Sequence, residues 1–142
     1  MGGEAAHRFF DHTGDFGVDL VAPTREALYA EAGRAWLALL TDAPHTVEER
    51  ETRSIEVDGL DETDLLVALG NELLYLFESE GWLAARIEIG ALDETHLAAT
   101  AHGEAFDEAR HPIARPAKAV THHGAFVEER DGEWHGRLIF DL

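Results

Sequence analysis

The feature that most constrains the fold is the alternation between two apolar stripes at helical spacing and several runs of period two. From Arg25 to about Leu40, the residues Leu28, Ala32, Ala35, Trp36, Leu39 and Leu40 recur every three or four positions, which places them on one face of a helix. Thr24 is positioned to cap that helix. A second stripe, Leu65, Leu66, Leu69, Leu73, Leu76 and Phe77, runs through "DETDLLVALGNELLYLFESEG". Asp61 and Asp64 mark its start and Gly81 its end. Gly70 inside this stripe lowers helix propensity, so the spacing predicts close approach of another backbone there.

Between and beyond the stripes the chain alternates. "GVDLVA" puts Val18, Leu20 and Ala22 on one face and Asp19 on the other. "TRSIEVDG" reads as a strand, and "LAARIEIGAL" and "THLAATAHGEAF" read as a hairpin about Asp93 and Glu94. "AVTHHGAFVEE" and "EWHGRLIFDL" flank Asp131-Gly132, a strong two-residue hairpin signal. The expectation is one α+β domain over residues 1–142, with two helices packed on a mainly antiparallel sheet as a compact sandwich. Leu28, Trp36, Leu39, Leu69, Leu73 and Phe77 are the expected core.

Composition narrows the chemistry. There is no cysteine, which excludes disulfides, thiolate metal sites and cysteine nucleophiles. No apolar run is long enough to span a bilayer, and "MGGEAAHRFF" lacks the regions of a signal peptide, so the reading is cytoplasmic with no membrane partner. The net charge of −18 repels phosphate backbones, which argues against direct nucleic-acid binding and is compatible with a basic protein partner. Adaptation to high salt accounts for the same charge, and Lys118 is the only lysine. The nine histidines include no HExxH pair, and adjacent His122 and His123 in a regular strand point to opposite faces. Ser54 and Ser79, the two serines, lie in no nucleophile elbow, and "GDFG" is not a phosphate loop.

Hard oxygen ligands remain. "FFDHTGDFGVDL" places Asp15 in a short loop between strand-like segments, and Gly14 and Gly17 allow tight approach. Asp141 lies in the terminal strand, followed by Leu142 and its α-carboxylate. If the first and last strands run side by side, three carboxylates meet, an arrangement favoured by a divalent cation. The residues alone leave a second reading open, in which Asp15 makes a turn hydrogen bond and Asp141 is a surface residue.

"DHTGDFGVDL", "NELLYLFE", "KAVTHHGAFVEE" and the ending "LIFDL" stand in the order and at about the spacing seen in archeases, so the chain resembles the archease family from about Arg8 onward. The resemblance implies a compact α/β sandwich and a non-enzymatic activator of an RtcB-type RNA ligase. Such a protein promotes guanylylation of the ligase's active-site histidine and its turnover in tRNA splicing and RNA repair, meeting RNA only through the ligase. It also implies a metal site of Asp15, Asp141 and Leu142, with calcium the first choice and magnesium or manganese as alternatives. His12, Lys118 and His123 are candidate partner contacts, or else local hydrogen-bonding groups. Gly14 stands where the family usually has alanine, Phe16 where isoleucine is common, and His122 where tyrosine is often found. A metal-dependent phosphohydrolase and a general chaperone are the alternatives. The scarcity of basic groups near the motifs weighs against the first, and apolar stripes accounted for by a core weigh against the second.

Overall fold

A computed structural model describes residues 4–12 and 15–142, with His12 described for its backbone only. The two stripes become α1 (Arg25–Leu40) and α2 (Glu62–Glu80), and the alternating runs become seven strands. These are β1 (Ala6–His12), β2 (Asp15–Ala22), β3 (Glu51–Asp58), β4 (Trp82–Leu92), β5 (His96–Ala105), β6 (Ala119–Arg130) and β7 (Glu133–Asp141). All pairings are antiparallel, as expected. The strands divide into two sheets, one of four strands in the order β1-β2-β7-β6 and one of three in the order β3-β5-β4. α1 packs on β2 and β4 and α2 on β6, β3 and β4, so the helix pair joins both sheets through one core.

The helix ends follow their local chemistry. The Thr24 hydroxyl accepts the Ala27 N–H at 3.1 Å, and Asp61 accepts the Asp64 N–H at 2.8 Å. Asp64 reaches one residue further back than a standard capping box, accepting from the Leu60 N–H at 2.7 Å. Gly81 adopts φ 61°, the left-handed conformation that stops a helix, and its N–H bonds back to Phe77. In the β6–β7 hairpin, Asp131 and Gly132 have φ of 52° and 81°, which fits the two-residue turn expected there.

The register of β2 is as the alternation requires. Val18 and Leu20 are buried in the core, while Asp19 lies on the opposite face and pairs with Arg137 of β7 at 2.7 Å. Leu28, Trp36, Leu39, Leu69 and Leu73 are buried. Phe77 is only half-buried at the end of α2, edge-on to Phe106 with ring centroids 5.3 Å apart. The group that approaches Gly70 is a side chain and not a backbone: a Cβ there would come within 2.9 Å of Val120 on β6. Backbone proximity does occur at Gly103, where a Cβ would sit 1.9 Å from the Leu83 carbonyl oxygen.

Leu73 is 1% exposed between α2 and the sheets. Leu73→Ala is expected to lower stability by about 2–5 kcal/mol through lost burial and the cavity left behind. Chemical denaturation checks this, and an unchanged midpoint would contradict the core assignment.

Candidate functional site

Pairing between β2 and β7 brings the two ends of the chain together. Phe16 is registered with Phe140, Gly17 with Ile139 and Val18 with Leu138. Asp15 precedes Phe16 and Asp141 follows Phe140, so continuing the antiparallel register puts the two aspartates across from each other. Directly opposed residues point to the same face with Cβ atoms about 4.5–5.5 Å apart. That face is the outer one, because Phe16 and Phe140 turn into the core and their neighbours turn away. Asp15 is thus the first residue of β2, where a loop position was expected, and its direction is fixed by the pleat.

The same row extends to both sides. His12 of β1 is registered with Asp15, although its side chain lies outside the described residues. On the other side Ala119 of β6 is registered with Asp141, and the Lys118 N–H donates to the Asp141 backbone carbonyl at 2.7 Å. The exposed Lys118 side chain therefore leaves the backbone one residue before β6, beside the carboxylate end. Thr13 and Gly14, part of the "DHTGDF" motif, lie outside the described residues.

His123 is further away along β6, in a segment that departs from simple alternation. Thr121 pairs with Ile139 and Phe126 with Arg137, so the four residues 122–125 lie opposite the single residue Leu138. Gly124, at φ 81°, allows this wide bulge. The opposite-faces expectation for His122 and His123 assumed an unbulged strand. In the bulge both are exposed, and His122 Nε2 meets Asp64 Oδ1 at 2.5 Å. That histidine, with the Leu60 N–H, holds the Asp64 carboxyl below its ordinary range.

Two further features position this region, and neither was read from the sequence. The Asn71 side chain of α2 pairs with the backbone of Val120 on both sides, donating to its carbonyl and accepting from its N–H, each at 2.9 Å. "NELLYLFE" and "KAVTHHGAFVEE" are therefore physically joined: Gly70 admits the Val120 side chain and Asn71 holds its backbone. The one available signal was a carboxamide beside the apolar stripe of α2. The second feature is the segment 106–118 leading into β6. Arg115 ties it to α1, donating to the carbonyls of Leu39 at 2.7 Å and Ala38 at 3.2 Å and meeting Asp42 at 2.7 Å.

The start of that segment is anchored on Glu104, which is 3% exposed. Burial alone would raise its pKa. Hydrogen bonds from Arg110 at 2.5 Å, the Glu48 N–H at 2.7 Å and His111 at 3.1 Å outweigh that, and the carboxyl is held down to about 2. Among the described residues, no group of three or more His, Cys, Asp or Glu side chains is gathered as a metal site. Continuing the β2–β7 register sets Asp15 opposite Asp141, and the described residues add no third such side chain to them.

The Archease protein family matches residues 7–142. This chain belongs to the archease family. It is 35% identical to protein archease of Methanopyrus kandleri over 93% of this chain and 96% of that one. It is 30% identical to protein archease of Pyrococcus furiosus, over 94% and 96%. Among solved structures, protein 1598 of Methanobacterium thermoautotrophicum superposes with a TM-score of 0.77 at 30% identity, covering 96% of this chain and 98% of that one. An archease described as a possible chaperone, from Thermotoga maritima, superposes with a TM-score of 0.64 at 19% identity and 94% coverage of both, a likeness of fold. The two helices and antiparallel sheets seen here are thus the architecture of solved archeases. No helix among the described residues is long and apolar enough to cross a membrane.

Because the Glu104 pKa is depressed on folding, its contribution to stability is present above the unfolded value near 4.5 and is lost as pH falls towards about 2. Glu104→Gln is expected to flatten this part of the acid-unfolding curve. Retention of the wild-type slope between those pH values would contradict it.

Proposed function

We propose that this archease is a non-enzymatic, metal-binding activator of an RtcB-type RNA ligase, promoting guanylylation of the ligase and its turnover in tRNA splicing and RNA repair. Support comes from family membership, and the single observation that carries the metal part is the β2–β7 register that sets Asp15 opposite Asp141. Two carboxylates so disposed repel each other, and a divalent cation offsets that repulsion. The donors are hard anionic oxygens, suited to calcium first and to magnesium or manganese as alternatives. Asp15 and Asp141 would hold the ion, with the α-carboxylate of Leu142 as the third protein ligand and waters completing the shell. Lys118, and His12 and His123 with it, would face the ligase near this end. RNA would be met only through the ligase, and the setting would be cytoplasmic.

The general-chaperone reading finds little surface to use. The exposed large apolar side chains among the described residues are Leu60, Tyr75 and Leu142, on separate parts of the chain, whereas client capture needs a contiguous patch. For a phosphohydrolase, the cations that the described residues bring near the carboxylate pair are Lys118 and Arg115, and Arg115 is committed to the Leu39 and Ala38 carbonyls and to Asp42.

Asp15→Ala and Asp141→Ala are expected to abolish stimulation of ligase guanylylation while leaving the melting temperature within a few degrees of wild type, because each removes one member of a repelling pair. A chain extended beyond Leu142 should be impaired in the same assay. Full stimulation by either aspartate variant would contradict the proposal.

A further inference from the structure

The outer face of the four-stranded sheet carries a second feature, well away from the carboxylate end. Asp19 lies four residues along β2 from Asp15, roughly 13 Å at about 3.3 Å per residue. There the strands form a cleft of about 400 Å³ lined by Arg8, Asp19, Phe126, Arg130, His135 and Arg137. Three of the chain's 11 basic residues thus converge on one cleft of a protein whose net charge is −18.

The arginines are held differently. Arg137 is fixed as the floor: Asp19 takes its Nε at 2.7 Å and its Nη2 at 3.2 Å. Its guanidinium also lies 4.7 Å from the Phe10 ring centre and 5.4 Å from that of Phe126. Arg130 at the rim pairs with Glu128 at 3.0 Å and keeps more than half its side chain exposed. Arg8 is exposed and makes no ion pair among the described residues. Arg137 and Arg130 are thus each engaged by a carboxylate, Glu133 is registered opposite Arg130 and meets His135 at 3.7 Å, and the guanidinium left without an ion pair among the described residues is that of Arg8.

We infer that this cleft is an anion-binding site for a compact polyphosphate group, either inorganic or carried on a nucleotide. Guanidinium forks match phosphate oxygens two at a time, and the cleft lies in the size range of small-molecule sites, roughly 300–1,000 Å³. Compactness follows from charge. A long polyanion, whether nucleic acid or acidic peptide, would run from the cleft onto the acidic surface and be repelled, whereas a polyphosphate concentrates several charges within reach of all three arginines. This inference depends neither on a metal nor on the ligase.

The test is calorimetric titration of the full chain with inorganic triphosphate and, separately, adenosine triphosphate, in EDTA at low salt. Saturable binding is expected, weakened at least tenfold by Arg8→Gln and by Arg130→Gln, and unchanged by Arg86→Gln on the other sheet. Equal affinities for the two probes would assign recognition to the polyphosphate alone, and tighter nucleotide binding would assign part of it to the nucleoside, both within the proposal. In the wild-type protein, backbone amide shifts should move first at residues 8, 130 and 135–137. Absence of saturable binding at millimolar probe would overturn the inference. So would an equal loss in Arg86→Gln, perturbed amides elsewhere on the surface, or an oligoglutamate binding as tightly as triphosphate.

Discussion

The antiparallel pairing of β2 with β7 is the contact on which the rest of the molecule depends. It is the longest-range strand pairing in sequence, and it closes the four-stranded sheet by joining the β1–β2 hairpin to the β6–β7 hairpin. Period-two geometry then assigns every residue of the pair to a face. Val18, Leu20, Leu138 and Phe140 go to the core, and Asp19 and Arg137 go outward with Asp15 and Asp141 at one end. A slip of one residue would bury the carboxylates and expose the core together. Packing therefore defends the geometry of the carboxylate end without any bond between the aspartates themselves.

Helix α2 secures the other side of this sheet. Gly70 admits Val120, Asn71 holds the Val120 backbone at both polar groups, and Asp64 meets His122 in the bulge that follows. One helix thus clamps β6 on either side of Thr121 and again at Val127, whose N–H donates to Thr63 at 3.1 Å, and β6 in turn flanks Asp141 through Ala119. The outer face that results has two chemically distinct ends, carboxylates at one and arginines at the other. Only the sheet connects them, so a change in the packing of β7 would reach both.

Much of the fold was legible because its signals are local. Thr24, Asp61 and Gly81 bound the helices by satisfying or stopping backbone hydrogen bonds, and Asp131-Gly132 dictates its turn. The carboxylate pair was legible to the extent that both ends read as strands and a family resemblance linked them. Other features were hidden because alternation reports a face and not a neighbour. Nothing within "TRSIEVDG" says that β3 pairs with β5 in a separate sheet, and nothing within "AVTHHGAFVEE" distinguishes a regular strand from one with four residues opposite Leu138. Phe77 belongs to the apolar stripe by spacing, but the chain turns at Gly81 before it can be covered fully. The arginine cleft draws on residues 8, 130 and 137, which meet only after all four strands of the sheet have paired.

If the register of β2 with β7 builds the proposed cation site at Asp15 and Asp141, paramagnetic line broadening by manganese detects it. At substoichiometric manganese, selective loss of amide signals from residues 15–16, 118–120 and 140–142 is expected, reversed by excess calcium. Broadening centred on any other part of the acidic surface, or spread evenly over it, would contradict a site at these aspartates.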